Sequence, residues 1–253
     1  MRKIVLLGFV AAAAGLLLIG FVPKSGVVSV SATQWTGLNY PLYVAIGDYD
    51  NDGLNDLAFT DSGRVMVYKS DGTTIIKNWT GPSPKGVAIG DYDNDGLNDI
   101  AFSMGDNVTV YKSDGTTIIK QWTGLNFPWG VAIGDYDNDG LNDLAFTECG
   151  GGANWVIVYK SDGTTVIKQW TGLHGPYGVA IGDYDNDGLN DLAFTEPAWP
   201  YYGVTTYKSD GTTVIKKWTG LWGYPTGVAI GDFDNDGLND LAFTECGGGA
   251  NWV

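Results

Sequence analysis

The chain has 253 residues, 44% of them hydrophobic, which is enough apolar material for a sizeable core. Its formal net charge is −15, with only 14 basic residues and no basic run, so nucleic acid is excluded as a partner class. A single histidine, His174, makes any Ser/His or Cys/His pair depend on one residue and argues against an enzyme.

At the N-terminus Arg2 and Lys3 precede an uncharged apolar run over residues 4–22, which Pro23-Lys24 ends. This is the composition of an export signal, and Val30-Ser31-Ala32 offers a small-residue cleavage site. Nineteen apolar residues are also long enough to span a bilayer. Residues 1–32 are therefore either a cleaved signal or an N-terminal anchor, and membrane contact is expected only through this segment. The basic flank places residues 33–253 outside the membrane in either case, secreted or at the cell surface.

The remainder repeats one phrase. Gly-Asp-Tyr-Asp-Asn-Asp-Gly-Leu-Asn-Asp-Leu-Ala-Phe stands at residues 47–59 and returns at 90–102, 134–146, 182–194 and 231–243, altered only at Ile100 and Phe233. Its first acids, Asp48, Asp91, Asp135, Asp183 and Asp232, are 43, 44, 48 and 49 residues apart, a period that implies a solenoid or propeller. Each repeat holds four strand-like runs, in the first case residues 43–48, 56–60, 64–69 and 73–80. Alternation in Val65-Met66-Val67-Tyr68 and the β-branched run at residues 73–76 favour strands. Asp71-Gly72 predicts a two-residue hairpin turn, repeated at Asp114-Gly115, Asp162-Gly163 and Asp210-Gly211. No helical period follows Pro23.

The predicted fold is all-β: a β-propeller of four-stranded antiparallel blades that bury their faces on one another. Trp79, Trp122, Trp170 and Trp218 end the fourth strands in Trp-Thr-Gly and are expected to pack between blades. A fifth such ending, at Trp35, precedes the first full repeat and suggests an outer strand that completes the last blade. The fifth repeat is incomplete: it stops at Asn251-Trp252-Val253, where the third continues into its hairpin. The chain thus reads as a fragment of a longer propeller, in preference to a five-bladed ring closed by a stunted strand.

Within each phrase four Asp occupy positions 1, 3, 5 and 9 with Gly at position 6, the spacing of a turn that converges carboxylates on a hard cation, and 20 of the 29 acids lie there. The expected calcium ligands are Asp48, Asp50, Asp52 and Asp56 with the Leu54 carbonyl; Asp91, Asp93, Asp95 and Asp99 with Leu97; and Asp135, Asp137, Asp139 and Asp143 with Leu141. The fourth and fifth sites comprise Asp183, Asp185, Asp187 and Asp191 with Leu189, and Asp232, Asp234, Asp236 and Asp240 with Leu238. Gly53 supplies the left-handed turn, and the Leu54 side chain can point into the blade. An EF-hand is rejected because its twelfth position, a bidentate Glu, is Phe59 here. The bland alternative, an acidic hairpin that binds nothing, would leave four carboxylates repelling one another.

In an up-and-down sheet the Asp loops and the Ser-Asp-Gly turns share one face. The loops on the other face vary and carry Tyr40, Phe127, Trp129, His174, Tyr177, Trp199, Tyr201, Tyr202, Trp222 and Tyr224. The rings either cap blade ends or receive a glycan or a surface protein. Cys149 and Cys246 occupy equivalent points two blades apart, and no disulfide is expected. Glu148, Glu196 and Glu245 end their second strands, facing either the ligand side or solvent. Asn78 and Asn107 head glycosylation sequons.

The Asp-x-Asp-x-Asp-Gly-x-x-Asp loop within β-repeats of 40-odd residues resembles the FG-GAP/VCBS repeats of integrin α-subunit propellers and many prokaryotic surface proteins, over residues 34–253. The resemblance implies a calcium-stabilised extracellular propeller used in adhesion or ligand binding, with metal loops opposite ligand loops. A binding module is thus the expected function. The alternatives are a structural repeat segment of a larger cell-surface protein and a non-catalytic propeller attached to a secreted enzyme.

Overall fold

The computed structural model describes residues 38–198, 202–221 and 223–247, together with the backbone of three short strands, Leu6–Ala11 (β1), Leu16–Phe21 (β2) and Thr33–Trp35 (β3). These three form a sheet of their own, with Leu6 opposite Phe21 and Leu17 opposite Trp35. Residues 33–35 therefore extend β2 and do not complete the fifth blade. Closing a loop of about a dozen residues costs less entropy than closing one of about two hundred. The cleavage site and residues 248–253 lie outside the described residues. Among the described residues no helix is long and apolar enough to cross a membrane.

Five sheets follow the repeat. Blade one contains Val44–Gly47 (β4), Asp56–Asp61 (β5), Arg64–Tyr68 (β6) and Ile75–Thr80 (β7). Blade two contains Pro84–Gly90 (β8), Asp99–Met104 (β9), Asn107–Tyr111 (β10) and Ile118–Trp122 (β11). Pro128–Gly134 (β12), Asp143–Gly150 (β13), Ala153–Tyr159 (β14) and Val166–Trp170 (β15) make blade three. Val179–Gly182 (β16), Asp191–Glu196 (β17), Gly203–Tyr207 (β18) and Val214–Thr219 (β19) make blade four, and Tyr224–Gly231 (β20) with Asp240–Cys246 (β21) form the described part of blade five. In every blade the strands neighbour one another in sequence order, all antiparallel. This is a β-propeller of up-and-down blades, as the period predicts.

The second strands of blades one and four are buried along their whole length, six residues out of six in β5 and β17, and those of blades two and three over all but their ends. Such a strand needs apolar neighbours on both faces, and the next blade supplies them. Trp79 of blade one lies 5.3 Å from Phe102 and 5.6 Å from Tyr111 of blade two. Trp122 meets Phe146 and Tyr159 in the same way, and Trp170 meets Phe194 and Tyr207. The core is thus interfacial: one cluster joins Val156, Val158 and Trp170 of blade three to Val179, Leu192 and Phe194 of blade four. Blades stabilise each other by nearest-neighbour contact.

First strands approach so closely that a Cβ on Gly130 would stand 2.4 Å from the Tyr177 carbonyl oxygen; only glycine fits. The hairpin between third and fourth strands is longer than the sequence suggests. The Gly72 N–H bonds to the Lys69 carbonyl at 2.8 Å, and the Asp71 carboxylate takes up the N–H groups of Thr73 and Thr74 at 2.7 and 2.8 Å. This cap delays the fourth strand from residue 73 to Ile75 and accompanies a register shift between Val67 and Tyr68.

Candidate metal centre and the opposite loop face

Each metal loop joins the first strand of its blade to the second. In the first loop Asp56, 1% exposed, acts as the pin. Its Oδ2 accepts from the N–H groups of Tyr49 and Asp50 at 3.0 and 3.1 Å, and its Oδ1 accepts from Ser70 at 3.0 Å. Asp48 takes the N–H groups of Asp52 and Gly53 at 2.9 and 2.8 Å. Asn51 and Gly53 adopt positive φ, 59° and 89°, to turn these donors inward.

Asp48, Asp50 and Asp56 are brought together with one carboxylate oxygen each within 4.8 Å of the others, and so are Asp91, Asp93 and Asp99; Asp135, Asp137 and Asp143; Asp183, Asp185 and Asp191; and Asp232, Asp234 and Asp240. These five triads could hold a metal ion. The fifth-position acids, Asp52, Asp95, Asp139, Asp187 and Asp236, stand outside the triads. Asp52 Oδ1 accepts from the Leu54 N–H at 2.9 Å, a bond repeated in the other loops. The Leu54 side chain is 57% exposed and so points to solvent, away from the blade, as do Leu97, Leu141, Leu189 and Leu238. The reason is local: with its N–H turned in to Asp52 and Gly53 reversing the chain, Leu54 presents its side chain at the loop tip.

The electrostatics favour a cation. Burial raises the carboxyls of Asp99, Asp143 and Asp191 to about 6, opposed by the backbone N–H bonds from Asp93, Asp137 and Asp185 and aided by the charge of those same neighbours. The Oδ1 atoms of Asp50, Asp93, Asp137 and Asp185 are buried and meet no hydrogen-bond donor among the described residues. A buried carboxylate oxygen without a partner is costly, and a hard, oxygen-seeking dication is the partner that suits an all-oxygen donor set. The residues present fit calcium.

Features beyond the acids bind the loops to their surroundings. Lys69, at the end of the third strand, reaches Asp50 Oδ2 and Asp52 Oδ2; Lys112, Lys160 and Lys208 do the same in the next three loops. These carboxylates hold the four ammonium groups well above the usual lysine value. Asn98 donates its N–H to Asn51 Oδ1 and its side-chain amide to the Asp48 carbonyl of the preceding blade, at 2.9 and 2.8 Å. Asn142, Asn190 and Asn239 repeat this clasp. Buried Tyr49 crosses the same boundary, its hydroxyl donating to the Lys112 carbonyl at 3.5 Å. Sequence reasoning missed the lysines and the asparagine clasp; recurrence of Tyr-Lys-Ser-Asp-Gly in the first four copies and of both Asn in all five was the available signal.

On the opposite face, buried acids anchor the variable loops. Glu148 Oε1 accepts from the Asn126 N–H at 2.8 Å and Glu196 Oε1 from the His174 N–H at 3.0 Å. Asp61 does the same for Asn39 at 2.8 Å. Glu148 and Glu196 are therefore loop supports and not solvated strand ends. Of the predicted aromatics, Trp199, Tyr201 and Trp222 lie outside the described residues. Trp129 and Tyr177 stack at 3.9 Å with planes 4° apart, and Lys85 Nζ sits 4.4 Å over Trp129. Among the described residues Lys85 forms no ion pair, and burial lowers its pKa. Tyr202 and Tyr224 meet edge to face at 5.2 Å. Tyr40 and Phe127 are 74% and 59% exposed, both at positive φ. An open groove of about 660 Å³ runs beside Phe127 and Lys85, past Ser83 and Met104. Cys149 and Cys246 are not joined in a disulfide, and burial pushes the Cys149 thiol up to about 11, which disfavours its thiolate.

Residues 48–102, 91–146 and 135–194 each match the profile of the FG-GAP-like repeat, together more than half of the chain. The chain belongs to the FG-GAP-like repeat family. Its FG-GAP-like repeats share their fold with distant solved structures. The crystal structure of BBS1N in complex with ARL6DN, soaked with lead, aligns with a TM-score of 0.57 at 10% identity, covering 97% of this chain and 76% of that one. The nidogen/laminin complex aligns at 0.54 and 17% identity over 83% and 77%, and the mitotic checkpoint complex at 0.56 and 14% over 92% and 73%. No curated protein matches the chain in sequence.

Proposed function

We propose that this chain is an exported, calcium-binding FG-GAP-like propeller that acts in adhesion or ligand binding, holding a glycan or a surface protein on the loop face opposite its metal loops. The observation that carries the calcium reading is the buried, donor-less Oδ1 of Asp50 and its three counterparts beside two further carboxylates. Calcium would neutralise each acidic loop and tie the first two strands of a blade together; external millimolar calcium suits sites of this modest kind.

The metal loops are nearly identical, as bracing elements would be, whereas the opposite loops differ from blade to blade, as a surface matched to one ligand must. Tyr40, Phe127, Trp129, Tyr177, Tyr202 and Tyr224 offer rings for sugar faces or a protein anchor. The test is a glycan array with the full chain in calcium, repeated with Trp129→Ala. Binding that the substitution abolishes, without a change in melting temperature, supports the reading. Failure to bind any sugar or any surface protein would leave the chain as a structural segment.

A further inference from the structure

Lys69, Lys112, Lys160 and Lys208 contact the same carboxylates that a metal would draw on. Each Nζ meets the Oδ2 atoms of the third- and fifth-position acids, for example Asp52 at 3.2 Å, Asp95 at 2.8 Å, and Asp139 and Asp187 at 2.7 Å. The contact leaves Oδ1 of the third-position acid buried and without a hydrogen-bond partner, and that acid belongs to the triad of its loop. The lysine is itself well placed. Its backbone N–H bonds to the carbonyl of the second residue past the Asp-Gly turn, as in Lys69 to Thr74 at 2.8 Å. The Lys112, Lys160 and Lys208 carbonyls receive the tyrosine hydroxyl of the preceding blade.

We propose that these four lysines are resident counter-cations: each holds its loop assembled in the metal-free blade and, in doing so, weakens that loop's affinity for calcium. The sign follows from Coulomb's law. In the metal-free loop the ammonium meets only negative charge. When a dication is bound, the same ammonium also meets a like charge a few ångströms away, so it stabilises the empty loop more than the filled one. A propeller built this way keeps its blades folded when calcium is scarce.

This inference rests on the calcium reading, and the experiment separates the two. The full chain is compared with K69M/K112M/K160M/K208M and with the corresponding Lys→Arg variant, by thermal melting in EGTA and by calorimetric calcium titration. The neutral variant is expected to melt several degrees lower in EGTA and yet to bind calcium about three- to tenfold more tightly per altered loop; the Arg variant should stay close to the parent. If the neutral variant does not fold in EGTA, rescue by calcium is the same result in stronger form, and Lys160→Met alone supplies the affinity change. Weaker or unchanged calcium affinity in the neutral variants, or an unchanged melting temperature in EGTA, overturns the proposal. A parent chain that binds no calcium sinks the calcium reading instead, while the EGTA melts still report whether the lysines hold the loops.

Discussion

Asn98 reaches back across a blade boundary to the carbonyl of Asp48, 2.8 Å away. Asp48 also supplies a carboxylate oxygen to a triad that could hold a metal ion, so one residue belongs to both the candidate cation site and the blade interface. The same relationship joins Asn142 to Asp91, Asn190 to Asp135 and Asn239 to Asp183. The Asp-rich loops and the blade interfaces are therefore linked from blade one through blade five.

Replacing Asn98 with Ala removes the amide bond to Asp48 while keeping its own N–H on Asn51. The expected loss is about 1 kcal/mol, or roughly 2–4 °C in melting temperature. Calorimetry on the purified variant in calcium measures it. An unchanged melting point would mean that the clasp is decorative.

The tryptophans at the ends of the fourth strands carry a larger share. Trp170 is 7% exposed and packs on Phe194 and Tyr207 of the next blade. Trp170→Ala should cost about 3–5 kcal/mol through the cavity it leaves, seen as a lower urea midpoint. A conservative Trp170→Phe should recover part of that loss.

Most of this architecture was legible in the residues, because the interactions that make it recur at a fixed place in each copy. The Trp-Thr-Gly endings announced the interfaces, and the acids of the loops announced the triads. Other features required the fold. Lys69 lies 17 residues from Asp52, but Lys160 lies 21 from Asp139, so an insertion hides the pairing. Asn51 and Asn98 are 47 residues apart and belong to different blades. Leu54 departs from expectation because its N–H, not its side chain, turns inward. Residues 33–35 read as a blade strand from their Trp-Thr-Gly ending, but strand pairing took the nearer edge of β2.

Acidity should act in opposite directions on the metal-free and calcium-loaded protein. Asp99, Asp143 and Asp191 titrate at about 6 in the fold against an ordinary 3.8. A carboxyl whose folded pKa is raised binds its proton more tightly in the folded chain, so the metal-free protein gains stability as pH falls from 7 through 6 toward 4. In calcium the same protons compete with the metal, and the calcium-dependent increment shrinks over that window. Urea denaturation at pH 7 and pH 5, with and without EGTA, tests both signs. Metal-free stability that falls steadily from pH 7 to 5 would contradict the assignment of these three groups.

Calcium bracing of the blades is the central claim, and thermal melting in calcium and in EGTA tests it most directly. A site with a dissociation constant of about 0.1 mM in about 1 mM calcium contributes roughly 1.4 kcal/mol by mass action. Five such loops together contribute about 7 kcal/mol, comparable with the net stability of a whole domain. EGTA should therefore lower the melting temperature by about 10 °C or more, and restored calcium should return it. An identical melting temperature in both solutions would contradict the account.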